Sequence, residues 1–305
     1  MHSQTLKRLA AEATTAHAAG DLPTALAAWR QALDLLPSGT RQREVVLGTI
    51  EGLSRELDHA GTPAGAKPTG GGRSKVATGA AGLGALGLLL SKLKFVLLGL
   101  TKLGTLASML LAFSVYWTLW GWRFALGFVV SIYIHEMGHV AALTRLGIKA
   151  TAPMFIPGLG AVVRLKQYPV TPREDARVGL AGPIWGLAAA AVSYAVYRAT
   201  DNQTWGAIAQ VGAWINLFNL LPVWQLDGAR GFRALAHADR WIVVALVALM
   251  WVATHEGLLV LLFLVSGYAA FRGSAPEEGD RRALFEFGML VVVLSLMTRI
   301  PVRTF

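Results

Sequence analysis

The stretch Ser131-Ile-Tyr-Ile-His135-Glu136-Met-Gly-His139-Val140 lies inside an apolar run from about 124 to 144. On a helix, residues four apart are separated by about 40° around the axis and one turn along it. His135 and His139 therefore share a face and can hold one metal ion through their imidazole nitrogens. Glu136 lies next to that face and can reach a metal-bound water. Gly138 keeps the helix surface open for a close neighbour. In a soluble helix such a pattern can be a chance surface arrangement. Within an apolar span, three side chains of this kind are costly unless paired or coordinated. That leaves a metal site, or a buried polar cluster without metal.

The rest of the chain sets the context. It has 305 residues, 54% of them hydrophobic and 15% charged, against about 25% charged in ordinary soluble domains. The shortfall is concentrated after residue 76, so the chain reads as a membrane protein. The net charge of +10 comes from Lys and Arg at the ends of apolar segments, as cytoplasmic loops require, and not from a nucleic-acid surface. There is no Cys, which excludes disulfide frameworks and thiol catalysis and limits a metal site to His and carboxylate ligands.

The expected spans are 103–120, 124–144, 178–197 and 205–224. Shorter apolar runs follow at 241–254, 257–271 and 284–298, and 76–100, broken by Lys92 and Lys94, reads as interfacial. The expected class is an all-α polytopic membrane protein with about six or seven transmembrane or re-entrant helices. If every run crosses, fifteen Lys and Arg fall on the side of the N-terminus, and Arg123, Arg198, Arg299 and Arg303 on the other. That bias implies a cytoplasmic N-terminus and puts the ends of the spans carrying His139 and Asp227 near the cytoplasmic face. No signal peptide is evident, since Met1 to about Leu57 is polar and helical in pattern.

The N-terminal segment, 1–58, contains Gly20, Ala25, Trp29, Ala32 and Pro37 at the spacing of a helical hairpin. It resembles a tetratricopeptide repeat, with Trp29 filling the space between two helices and Pro37 ending the second. Residues 41–57 form one more amphipathic helix. The segment is either a hairpin without a partner or a cytoplasmic docking or self-association module. Residues 59–75 are a Gly/Pro-rich linker, leaving 76–305 as the membrane domain with its motif-bearing core at 103–235.

A catalytic zinc usually has three protein ligands and a water. The best third candidate is Asp227, in Asn219-Leu-Leu-Pro222-Val-Trp-Gln-Leu226-Asp227-Gly228. Pro222 should end the preceding helix and Gly228 permits a tight turn, and non-helical backbone at membrane depth lines a cavity or is buried in protein. A plain helix-ending loop is the alternative. His237 and His255 lie near loop positions and are rejected as ligands.

The two motifs together, His-Glu-x-x-His and Asn-x-x-Pro-x-x-x-Leu-Asp-Gly, resemble the site-2 protease family of intramembrane zinc metalloproteases over roughly residues 100–235. The resemblance implies one Zn2+ held by His135, His139 and Asp227, with Glu136 as catalytic base and a transmembrane protein as substrate. Ala181-Gly182-Pro183 looks like the family's small-residue packing segment. Residues 152–167, whose Pro157-Gly158 and Gly160 suggest a turn and whose 161–163 suggest a strand, look like its re-entrant β-hairpin. Asn219 and Asn216 are candidates for binding substrate backbone or the oxyanion; interhelical glue is the other reading of Asn216. There is no room between His139 and Asp227 for the PDZ domain that many members carry. A membrane scaffold binding partners through the N-terminal repeat is the alternative function, and it has no need of Glu136.

Overall fold

The structure, a computed structural model, describes residues 3–60, 103–148, 154–156, 160–162 and 169–302. Most of the expected linker, the 76–100 segment and the Pro157-Gly158 turn lie outside the described residues. The chain divides into two compact units, Met1–Leu106 and Ala107–Phe305.

The first unit contains α1 (Ser3–Ala18), α2 (Leu22–Asp34) and α3 (Arg41–Ala60). Gly20, at φ 75°, makes the turn between α1 and α2. Asp21 caps α2 by accepting from the Thr24 N–H at 3.2 Å and the Thr24 hydroxyl at 2.7 Å. Ala13, Ala25, Leu26 and Ile50 are fully buried and form the centre of the unit. His17 Nε2 lies 3.0 Å from Glu56 and ties α1 to α3. Trp29, expected to fill the gap between helices, is only partly buried; the smaller Ala25 and Leu26 occupy the interior.

The second unit contains all but the first turn of α4 (Leu103–Trp120), then α5 (Trp122–Arg145), α6 (Pro172–Thr200), α7 (Gln203–Asn219), α8 (Asp227–Arg233), α9 (His237–Thr254), α10 (Gly257–Arg272) and α11 (Arg281–Met297). Three of these, α5, α6 and α9, are long and apolar enough to cross a membrane. Of the six or seven transmembrane or re-entrant helices expected, three candidate spans are thus supported among the described residues, by length and composition. Helices α7 and α11 have 17 residues each and α10 has 16. The α7 helix stops at Asn219, ahead of the expected end at 224, because Pro222 cannot continue it.

Helix α6 begins with Thr171 accepting from Glu174 N–H at 3.2 Å, while Glu174 accepts from Val170 N–H at 3.1 Å. This is a variant of the capping box. Helix α6 packs against α5, α7 and α8, so it lies at the centre of the motif-bearing part. Beyond it, Leu217, Leu220, Phe232, Val247, Leu259, Phe287 and Leu290 interlock α7 to α11 in one buried cluster. Strands β1 (Met154–Ile156) and β2 (Gly160–Val162) pair antiparallel, with Phe155 opposite Ala161, and β2 runs beside α5. The two strands are three residues each.

Candidate metal centre

Helical spacing places the imidazoles of His135 and His139 on one face of α5, with ring centroids 5.0 Å apart. Both are buried, as is Glu136 between them in sequence. One carboxylate meets both rings. Asp227 Oδ2 lies 3.1 Å from His135 Nε2, and Asp227 Oδ1 lies 3.2 Å from His139 Nε2. The two Nε2 atoms are themselves 3.2 Å apart. The potential ligand atoms of His135, Glu136 and His139 all lie within 4.8 Å of one another.

Hydrogen bonds on the far side of each ring decide which nitrogen faces the centre. His139 Nδ1 lies 2.8 Å from the carbonyl oxygen of Val178. A carbonyl only accepts, so Nδ1 carries the proton. His135 Nδ1 lies 2.8 Å from Asn216 Oδ1. The Asn216 amide nitrogen donates to Gly212 O at 2.7 Å, which turns Oδ1 toward the histidine. With neutral rings, two Nε2 lone pairs and a carboxylate then converge. Three acceptors at 3.1–3.2 Å repel one another unless a metal cation, or a proton on one Nε2, lies among them. Tetrahedral ligands at about 2.0–2.1 Å from zinc stand about 3.3 Å apart, so this donor set fits the ion.

Glycines make room for the constellation. A Cβ at Gly182 would strike His139 Nε2 and lie 2.7 Å from His135 Nε2. A Cβ at Gly186 would overlap the Asn216 amide, and one at Gly138 would meet Ala181 O. The Ala181-Gly182-Pro183 segment is thus more than helix packing, because it borders the two imidazoles. Sequence reasoning missed this, since small-residue spacing reveals closeness but not the identity of the neighbour. Gly228, expected in a tight turn, is instead the second residue of α8. Its missing side chain lets the backbone lie on Leu220 O.

Asn216, expected either to bind substrate or to join helices, makes an interhelical contact: its Oδ1 lies 2.8 Å from His135 Nδ1, and its Nδ2 donates to Gly212 O. Asn219, one turn on, is half-buried at the end of α7 and has no side-chain hydrogen bond among the described residues. Between α7 and α8, Trp224 takes φ 48° and is 88% exposed. His237 is exposed, at the start of α9 beside Trp241, and His255 is the exposed C-cap of the same helix. Neither joins the cluster.

Residues 123–202 match Peptidase family M50. Among curated proteins, the zinc metalloprotease MJ0392 of Methanocaldococcus jannaschii is 28% identical over 127 residues, covering 40% of this chain and 35% of its own. A putative zinc metalloprotease, Rip3, of Mycobacterium tuberculosis is 30% identical over 191 residues, covering 54% and 48%. Another, Rip2 of Mycolicibacterium smegmatis, is 28% identical over 202 residues, covering 51% and 78%. The chain spans half or less of the length of the first two relatives. No solved structure matches. The matched part of the chain, which carries His135, Glu136 and His139, is thus similar to peptidase family M50 and to proteins named zinc metalloproteases.

Proposed function

We propose that the chain is an intramembrane zinc metalloprotease of the site-2 kind, hydrolysing peptide bonds within or next to transmembrane segments of other proteins. The observation that carries this reading is the triangle of His135 Nε2, His139 Nε2 and the Asp227 carboxylate, next to buried Glu136 in an apolar helix. His135, His139 and Asp227 would hold one zinc ion. Zinc bound there supplies Lewis acidity toward a carbonyl and lowers the pKa of a coordinated water toward about 7.

The remaining steps belong to the chain's own groups. A Glu136 carboxylate oxygen accepts the proton of the attacking water and returns it to the leaving amide nitrogen. The Asn219 amide offers a donor for substrate backbone or the developing oxyanion. Val178 O and Asn216 keep the Nδ1 protons away from the centre, so both Nε2 atoms stay available. The β1–β2 hairpin runs beside α5 and offers an edge on which an extended substrate can pair. An apolar cavity of about 740 Å³ between α5, α6 and α7 runs along α5 from Trp122 to Ile134. It suits an apolar substrate segment. The reading places the N-terminal unit and the site toward the cytoplasmic face of the cell membrane. Residues 1–58 are left to bind a protein partner or a second copy.

The experiment uses membrane-reconstituted protein and reporters carrying single transmembrane segments. Glu136→Gln retains zinc and loses about 10²–10⁴ in cleavage rate. Undiminished cleavage by that variant would sink the assignment of the base.

A further inference from the structure

We infer that Asp175 is a positioning residue for Asp227, acting through Arg230 and Arg233; this rests on the metalloprotease reading above. Asp227 opens α8, a helix of only seven residues whose N-cap, Leu226, makes no side-chain cap bond. Helices shorter than about 12 residues do not hold their own shape, so contacts must fix this one.

Asp175, in the first turn of α6, supplies them. Its Oδ1 accepts from Arg230 Nε at 2.7 Å and its Oδ2 from Arg233 Nη2 at 2.7 Å. One carboxylate thus grips two arginines of α8, three and six residues beyond Asp227. The Asp175 and Arg230 side chains are 19% and 17% exposed, enough shielding to make a charge-assisted bond count. Gly179, one turn further along α6, brings the helices into contact: a Cβ there would lie 2.6 Å from Arg230 Cβ and 2.9 Å from Asp227 O. At the other end of α8, Asp280 N–H donates to Ala234 O at 2.9 Å.

The same face of α6 serves the other members of the triangle. Asp175, Gly179, Gly182 and Gly186 are spaced by four, three and four residues, so they form one stripe. Asp175 and Gly179 meet α8, Gly182 borders both imidazoles, and Gly186 seats Asn216, which orients His135. Val178, beside the stripe, orients His139. The carboxylate grip is the part of this arrangement that sets where Asp227 stands relative to the two Nε2 atoms.

The test uses the full chain with Asp175→Asn, Asp175→Glu and Arg233→Gln. Four quantities are read: zinc affinity by chelator competition, the absorption bands of the Co2+-substituted protein, kcat and KM on a reporter, and the melting temperature. Asp175→Asn is expected to lower zinc affinity about tenfold or more, to shift the cobalt bands, and to lower kcat with KM unchanged. Asp175→Glu, which keeps the carboxylate, recovers part of each loss. Arg233→Gln, which removes the more exposed contact, gives a smaller change of the same kind. A lower melting temperature with wild-type zinc affinity, cobalt bands and kcat would make Asp175 a mere staple and overturn the inference. If Asp175→Asn does not fold, Arg233→Gln decides, and wild-type zinc affinity and kcat in that variant overturn it equally. Wild-type protein that binds no zinc, or Glu136→Gln that cleaves at the wild-type rate, would instead remove the protease reading itself.

Discussion

Asn216 Oδ1 accepts the Nδ1 proton of His135 at 2.8 Å, across 81 residues of chain. The bond sets both the tautomer and the ring angle of one side of the triangle. Groups that orient a metal-binding histidine typically contribute 10- to 100-fold in metal affinity. Asn216→Leu is therefore expected to weaken zinc binding by about that factor while leaving the helical circular-dichroism signal intact. Zinc affinity equal to wild type would show that the ring is held by packing alone.

A second prediction concerns Gly182. The methyl of Gly182→Ala would meet the Nε2 atoms of both histidines, and the α6 backbone behind it is packed against α5, α7 and α8. Overpacking of this kind costs about 1–3 kcal/mol, and here the side chains that must give way are the ones that converge. Zinc binding and cleavage should be lost in a protein that still folds. Gly212→Ala is the control, since its Cβ would meet Ala190 Cβ at an ordinary 3.8 Å. Equal zinc content in the two variants would contradict the placement.

The convergence of three acceptors also predicts how metal affects stability. A ligand that binds only the folded state stabilises it by about 2.7 kcal/mol at 100 times its dissociation constant. Thermal unfolding with and without a chelator should show this gain in the wild type. Asp227→Ala, which removes one side of the triangle, should show little of it. An identical zinc-dependent shift in both proteins would take Asp227 out of the site.

The N-terminal unit carries a separate prediction. Leu26 is fully buried at its centre, and Leu→Ala at such a site costs about 2–5 kcal/mol. A unit of this size rarely holds more than about 3–5 kcal/mol in total. Leu26→Ala should make residues 3–60 sensitive to limited proteolysis, whereas Val45→Ala, at a position 62% exposed, should not. Equal protease resistance would contradict the assigned core.

How far the sequence reaches depends on how local each feature is. His135 and His139 are legible because helical periodicity operates over four residues. Asp227 is legible as a candidate because Pro222 and Gly228 mark a break in an apolar run. Asn216 is legible as interhelical glue, but not as the partner of His135, because only the packing of α5 against α7 brings the two together. Gly182 looks like a packing residue until its neighbours are known to be imidazoles. Gly228 looks like a turn, since a missing side chain serves a tight bend and a close helix contact equally well. Asp175, Arg230 and Arg233 read only as charges at helix ends, 55 and 58 residues apart. The span count is legible only in part, because α7, α10 and α11 are apolar but have 16 or 17 residues, at the lower edge of what a crossing needs.

The stripe on α6 limits where this chain can change length. One residue inserted or deleted between Asp175 and Gly186 turns everything beyond it by about 100° around the helix axis. The carboxylate facing α8 and the two notches facing the imidazoles and Asn216 would then point in different directions, and no single substitution could restore them. Loops such as the one between α6 and α7 can lengthen or shorten without that penalty. In this fold the eleven-residue interval from Asp175 to Gly186 acts as a ruler, and its length is as much a requirement of the site as the identity of any residue within it.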